Sequence, residues 1–241
     1  MSVFLRLLVF ILIALTTSVR AQDGQGSLAP LVIGTEYRFL EFDPAHALSS
    51  TNMYFGSALF ETLLILGDDG FTLEPGVAKS WEVSDDGLVY TFHLREDAKW
   101  SDGEPVVANH FVAGWFRVLM PDTRAPYATL HETIHGADAL REKRAAALLQ
   151  WAERDEVRIP EVLGNWRTLK KAYSKSVWSE GDFTLKVRLI RPVVYFPYLV
   201  TNPAFAPLPG EIGKLNFDLD VGFDGRLRIE AMTFHLSLIH I

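Results

Sequence analysis

The chain contains no cysteine in its 241 residues. It can therefore form no disulfide, carry no cysteine nucleophile, and present no cysteine for a lipid anchor after export. Positive charge is also scarce, because 23 Lys and Arg residues stand against 30 Asp and Glu residues, giving a formal net charge of −7. This deficit argues against nucleic acid and anionic membranes as partners.

Long apolar runs are missing except near the N-terminus. Residues 1–21 combine a positively charged Arg6, an apolar stretch over residues 7–15 and the small-residue sequence Val19-Arg20-Ala21. This order is typical of a secretory signal peptide. The alternative is a transmembrane anchor, but the apolar run is shorter than the ~20 residues that span a bilayer. We therefore expect a cleaved signal peptide and export into the periplasm.

Glycine-rich phosphate loops and serine-nucleophile motifs are absent as well, so one enzymatic pattern stands out. His131, Glu132 and His135 fit H-E-x-x-H, in which two histidines one helical turn apart bind zinc and the glutamate activates water. The helix that such a site needs would have to continue past His135, yet Gly136 follows directly. A zinc metalloprotease is thus the alternative hypothesis, and we expect no enzyme, no catalytic or metal-binding residue and no cofactor.

Residues 73–119 are richest in local structural signals. Residues 85–87, Asp-Asp-Gly, predict a turn between a short strand at 80–84 and an alternating strand at 88–94. Apolar residues at helical spacing predict an amphipathic helix that begins near Ala108. Its start is unusual because Val107 cannot accept a hydrogen bond from the first helical amides, which costs ~1 kcal/mol relative to a capping side chain.

Three further stretches suggest helices. Residues 52–66 form a helix-like apolar segment, and residues 138–154 and 161–173 are rich in good helix formers. We interpret the helices predicted at 138–154 and 161–173 as a charged, solvated pair on the outside of the molecule.

The order of these elements resembles the extracytoplasmic solute-binding proteins of peptide ABC importers, the oligopeptide/dipeptide-binding family (solute-binding family 5). Similarity covers residues 31–209 with one divergent gap. The stretches that carry it are LEFDPAHALSSTNMYFGSALFETLL, SWEVSDDGLVYTFHLREDAKWSDGEPVVANHF, MPDTRAPYATL and GDFTLKVRLIRPVVYFPYLVTNPAFAPLP.

The resemblance implies a mixed α/β fold of the periplasmic-binding-protein type, present only in part. Residues 22–60 and 191–235 would be pieces of the first lobe, and residues 61–190 the small inserted domain. The second lobe would be missing, so we expect a C-terminally truncated chain. Residues 236–241, LSLIHI, are interpreted as a non-native tail.

The resemblance also implies a function. The parent protein would bind an oligopeptide between two lobes and deliver it to an ABC permease and its ATPase, acting as a monomer. The matching ligand-binding positions are Leu48, Ser49 and Ser50 in one loop and Tyr127 in another. Members of the wider superfamily carry nickel, haem, sugars or antibiotics, and the sequence leaves these ligands open. A structural or signalling periplasmic domain is a third hypothesis.

Overall fold

The computed structural model describes residues 43–154 and 159–209, and beyond them the backbone of three short strands between residues 218 and 240. The signal peptide predicted for residues 1–21 lies outside the described residues, as does most of the tail predicted at 236–241.

The described part of the chain contains both α-helices and 3-10 helices. The α-helices are α1 (Ser50–Leu59), α2 (Ala108–Leu119), α3 (Ala137–Ala152), α4 (Ile159–Tyr173) and α5 (Phe196–Leu199). The 3-10 helices are η1 (Pro44–His46), η2 (Pro121–Thr123), η3 (Ala128–Thr133) and η4 (Pro203–Phe205). None of these helices is both long and apolar enough to cross a bilayer.

The strands are short and pair antiparallel. They are β1 (Leu64–Leu66), β2 (Leu73–Pro75), β3 (Ala78–Val83), β4 (Val89–Leu94), β5 (Lys99–Trp100), β6 (Val177–Ser179), β7 (Thr184–Arg188), β8 (Asp218–Val221), β9 (Leu227–Glu230) and β10 (Ile239–His240). A four-stranded sheet has the order β3-β4-β7-β6, and β1-β2, β5-β10 and β8-β9 form separate pairs. The predicted mixed α/β class is confirmed.

The predicted hairpin is present between β3 and β4. Gly87 has a φ of +70°, a left-handed conformation that glycine adopts without steric cost. The Asp86 side chain accepts a hydrogen bond from the Leu88 amide at 3.0 Å, which fixes the turn. β4 then lies in the middle of the sheet, with Phe92 and Leu94 fully buried.

Helix α2 begins at Ala108, as predicted, and forms the centre of the core. Val107 occupies the N-cap position and provides no side-chain hydrogen bond. The Nδ1 atom of His110, in the first turn, instead accepts a hydrogen bond from the Val107 amide at 3.2 Å. Trp115 is buried, and its Nε1–H donates to the Phe205 carbonyl oxygen at 2.6 Å.

The chain following η4 packs tightly against this helix. A Cβ atom on Gly114 would stand 2.6 Å from the carbonyl oxygen of Ala206, closer than real side chains approach. The Leu208 amide also donates to the His110 carbonyl oxygen at 3.1 Å. Glycine at position 114 therefore allows residues 203–208 to lie on α2.

The apolar segment 52–66 is not one helix, and this prediction is wrong. Helix α1 ends at Leu59, and Phe60 is extended with φ −129° and ψ 129°. β1 then pairs with β2, with Leu64 opposite Pro75. Pairing with a strand from later in the chain thus determines the structure of residues 64–66, a contact that no local helical periodicity can reveal.

Helices α3 and α4 form as predicted, but they are more than a solvated exterior pair. Arg144 of α3 is completely buried, and its guanidinium donates to the Asp122 carboxylate at 2.7 Å and to the Asn165 side chain at 3.0 Å. The same guanidinium lies 5.1 Å from the ring centroid of Trp151 and 5.5 Å from that of Trp166. The prediction that these two helices are charged and solvated therefore holds only for the sides that are exposed.

Candidate functional site

The loop that carries three of the predicted ligand-binding residues is anchored by the turn before it. Asp43 caps the 3-10 helix η1, because its Oδ1 atom accepts a hydrogen bond from the Ala45 amide at 3.0 Å. Pro44 follows at the first helical position, where its fixed φ suits a helix start. The turn packs against η4 and α1, and Pro44 and Ala45 are buried.

A buried ion pair ties this turn to helix α2. The Arg117 guanidinium donates to both oxygens of the Asp43 carboxylate, with Nη1 at 3.0 Å from Oδ1. Both side chains are nearly inaccessible to solvent, with 4% and 9% exposure. Burial by itself would raise the pKa of Asp43, but the hydrogen bonds from His46 and Arg117 outweigh it and hold that pKa well below its usual range. Asp43 is therefore ionised.

His46 completes the same cluster. Its Nδ1 atom lies 3.2 Å from Oδ2 of Asp43, and its Nε2 atom lies 2.6 Å from the carbonyl oxygen of Thr123. The Thr123 hydroxyl donates in turn to the Arg117 carbonyl oxygen at 2.6 Å. These bonds connect η1, the end of α2 and η2.

The predicted ligand-binding residues of the first loop follow directly after this cluster. Leu48 is 62% exposed and Ser50 is exposed. Ser49 is the N-cap of α1, and its hydroxyl oxygen accepts a hydrogen bond from the Asn52 amide at 3.1 Å. The loop thus presents two accessible side chains on a backbone that is fixed at both ends.

The structure brings Tyr127 to the same neighbourhood. Tyr127 is partly buried and packs on a small apolar cluster separate from the main core, formed by Ala45, Val118, Ala128 and Ala204. Ala45 belongs to η1, the 3-10 helix that precedes the 48–50 loop. The residues against which Tyr127 packs therefore include one from the helix that anchors this loop. The proximity agrees with one shared site, while the contact of these four residues with a ligand stays a prediction.

Sequence reasoning missed one accessible aromatic residue beside this loop. Tyr54 lies on α1 and is 77% exposed. It is four residues after Ser50, so the two positions share a face of the helix. The sequence does contain a signal for Tyr54, because an aromatic residue follows the serine that caps this helix. The other side of the helix meets η4 through Gly56.

The H-E-x-x-H pattern does not form a zinc site. His131 lies in the 3-10 helix η3, Ile134 is extended and Gly136 has a φ of +73°, so no α-helix places the two histidines on one face. Residues 131 and 135 also face different environments, because His131 is fully buried and His135 is exposed. The geometry therefore gives the zinc metalloprotease alternative no support.

The individual side chains have structural partners instead. The His131 ring stacks on Phe205 with centroids 4.0 Å apart, and its Nε2–H donates to the Ala204 carbonyl oxygen at 3.1 Å. Burial lowers the pKa of His131 to about 3, so the ring is neutral. Glu132 pairs with Arg141 at 3.1 Å. Among the described residues, no group of three or more His, Asp or Glu side chains is placed to hold a metal ion.

Comparisons with known proteins agree with this geometry. Residues 72–224 match the family described as bacterial extracellular solute-binding proteins, family 5 middle. The periplasmic oligopeptide-binding protein OppA of Escherichia coli (strain K12) is 35% identical over 176 residues, which is 73% of this chain and 27% of that protein. The dipeptide-binding protein DppE of Bacillus subtilis (strain 168) is 31% identical over 186 residues, 77% of this chain and 30% of that protein.

A solved structure extends the likeness to three dimensions. Haemophilus influenzae OppA in complex with RPPGFSPFR matches with a TM-score of 0.55 and 30% identity, over 70% of this chain and 28% of that one. The chain thus spans less than a third of the length of the relatives that it matches. Over that length, it belongs to the bacterial extracellular solute-binding proteins of family 5.

Proposed function

We propose that this chain is part of the periplasmic binding component of an ABC importer for oligopeptides, a binding protein rather than an enzyme. Support comes from its membership of the family and from relatives named as oligopeptide- and dipeptide-binding proteins. The observation that carries the proposal furthest is the loop at Leu48–Ser50, held by η1 beside the cluster on which Tyr127 packs.

Peptide binding suits the chemistry of this region. Ser49, Ser50 and the exposed loop backbone offer hydrogen-bonding groups but no formal charge. Such groups recognise a peptide main chain and tolerate varied side chains, while an aromatic ring adds apolar contact area at low entropic cost. We propose Leu48, Ser49, Ser50 and Tyr127 as ligand contacts, with Tyr54 as a neighbouring candidate.

The proposed domain organisation follows from the same contacts. η1 and α1 from the early segment touch η4 from the late segment, although about 150 residues separate them. We propose that residues 22–60 and 191–235 contribute to one lobe and residues 61–190 to an inserted domain. Residues 1–21 would direct export to the periplasm and be removed, so N-terminal sequencing of periplasmic protein should begin near Gln22. An intact Met1 terminus would contradict the cleaved signal.

Calorimetric titration of tri- to pentapeptides into the protein encoded by the complete gene tests the function. We expect a Kd on the order of micromolar or tighter. Tyr127→Ala should weaken binding roughly tenfold or more, as loss of an aromatic contact does. Phe71→Ala is the matched control, because Phe71 is an aromatic residue that is 79% exposed in the β1–β2 turn and is not among the proposed ligand contacts. No binding by any peptide, or equal losses in both variants, would refute the proposal.

A further inference from the structure

The ring of His46 has an unusual pair of partners. Nδ1 faces the carboxylate of Asp43 and Nε2 faces the main-chain carbonyl oxygen of Thr123. Neither partner can donate a hydrogen bond, since Asp43 is ionised by its pairing with Arg117 and a carbonyl oxygen only accepts. A neutral imidazole has one N–H and could satisfy only one of these two contacts.

We propose that His46 acts as an imidazolium clasp that positions residues 47–49 before α1, and that its deprotonation breaks its contact with Asp43 or with η2 and so loosens this loop. The protonated ring donates from both nitrogens at once and bridges two elements that lie 77 residues apart in sequence. Ala47, the first residue after His46, is buried and begins the loop that contains Leu48, Ser49 and Ser50. His46 is thus a positioning residue.

The surroundings of His46 favour the charged ring. Among the described residues, Asp43 and Arg117 are the charged groups that act on it. The hydrogen bond to Asp43 is the largest influence and raises the pKa of His46, partly opposed by burial and by the Arg117 charge. Asp122, in the same 3-10 helix as Thr123, is held by Arg144. The other packed elements, α1 and η4, contain no Asp, Glu, Lys, Arg or His.

The direction of the pH effect follows from this. Because the folded state raises the pKa of His46, its contribution to stability is complete below the unfolded value of about 6.5 and is lost as pH rises through the folded value. Above that pH, Nδ1 or Nε2 must lose its hydrogen and its contact with η1 or η2. For the ligand this inference rests on the proposed function: the loop would be ordered for binding below the folded pKa of His46 and loosened above it.

Nitrogen-15 NMR of the histidine rings in the full chain tests the clasp without any ligand. We expect a titration midpoint above about 6.5 and, below that midpoint, protonation of both His46 ring nitrogens. The backbone amides of Asn52 and Met53, at the start of α1, should shift with the same midpoint. His46→Gln identifies the ring resonance, and if this variant does not fold, through-bond correlation to the His46 backbone makes the assignment.

Each outcome is decisive. A midpoint at or below about 6.5, or a ring that is singly protonated below its midpoint, overturns the clasp. A ring that titrates as expected while the two amides do not respond overturns the positioning role. His46→Arg, which keeps a cation at every pH, should abolish the midpoint in the amide shifts. A parallel peptide titration separates the hypotheses, since absence of binding at all pH values refutes the proposed function and leaves the ring result standing.

Discussion

Two buried arginines make the same kind of ion pair in two regions of the molecule and have different surroundings. Arg117 binds Asp43 from 74 residues away and, through His46 and Thr123, fixes the start of the proposed ligand loop. Arg144 binds Asp122 from 22 residues away, between the rings of Trp151 and Trp166. The first pair connects distant segments beside a site, while the Arg144 guanidinium joins α3 to η2 through Asp122 and to α4 through Asn165.

The difference lies in what can change around each pair. The Arg117 cluster contains a histidine with 30% side-chain exposure, so its hydrogen bonds depend on pH. The Arg144 cluster has aromatic rings, an amide and a carboxylate, and no histidine is among the described residues that contact its guanidinium. We infer that the α3–α4 region is a fixed support and that the region around η1 is the adjustable one.

The largest expected effect is the loss of the enclosed arginine. Arg144→Met leaves the Asp122 carboxylate without its guanidinium and removes two cation–π contacts, so the free energy of unfolding should fall by about 3–5 kcal/mol. Urea denaturation measures this. Arg141→Met on the same helix is the control, because its ion pair with Glu132 is exposed and should contribute about 0–1 kcal/mol. Equal losses would show that the burial of Arg144 is not what matters.

Removing Arg117 should lower the free energy of unfolding by a comparable amount but should perturb different residues. Arg117→Met removes the guanidinium from the buried Asp43 carboxylate and leaves the contact with His46 in place, so we expect a loss in the free energy of unfolding at the lower end of about 3–5 kcal/mol. The amides of residues 47–53 should shift in its NMR spectrum and stay in place in Arg144→Met. Identical loop shifts in the two variants would erase the distinction between the regions.

A steric change tests the packing beside Arg117 without altering charge. Gly114→Ala would place a methyl group against the Ala206 carbonyl oxygen, and we expect a destabilisation of about 1–3 kcal/mol. Gly164→Ala is the matched control in α4, where a Cβ meets nothing within 4 Å. That substitution should stabilise the protein by up to about 1 kcal/mol through helix propensity. Opposite signs, measured by thermal unfolding, are the predicted signature.

Low pH should destabilise the protein through His131, the neutral histidine that packs against η4. Since burial lowers the pKa of His131 to about 3, its contribution is complete above about pH 6.5 and is lost as pH falls from there. The slope from this one group approaches about 1.4 kcal/mol per pH unit. His131→Phe keeps a ring against Phe205 and should flatten the curve between about pH 6.5 and pH 4. An unchanged slope would mean that His131 does not govern acid unfolding.

The smallest expected effect concerns the start of α2. Val107→Thr supplies a hydroxyl acceptor for the first helical amides and should stabilise the protein by ~1 kcal/mol. The Val107 amide already donates a hydrogen bond to His110. The added hydroxyl would instead accept a hydrogen bond from an amide in the first turn of α2. An unchanged or lowered unfolding midpoint, with Val107→Ala as the reference, would count against this account.

Local chemistry predicted the elements whose cause is local. The turn at Gly87 and the start of α2 at Ala108 follow from residues within one turn of each position. The end of α1 at Leu59 was missed, because β1 pairs with a later strand. Asp43–Arg117 and the burial of His131 against Phe205 were missed for the same reason: contacts between residues over 70 positions apart leave no periodic trace in a single sequence.

The site was predicted only as far as the family resemblance extended. Leu48, Ser49, Ser50 and Tyr127 follow from similarity alone. The structure packs Tyr127 on a small cluster that contains Ala45, which lies three residues before Leu48. The support beneath them, in particular His46, could not be inferred from spacing, since its partner Thr123 contributes a main-chain oxygen. Main-chain acceptors carry no residue-type signal.

A crystal structure of the complete gene product with a bound tripeptide tests the central claim most directly. We predict that the peptide main chain lies within hydrogen-bonding distance of the backbone or hydroxyl groups of residues 48–50, with the Tyr127 ring in van der Waals contact. A bound peptide that touches neither the 48–50 loop nor Tyr127 would contradict the account.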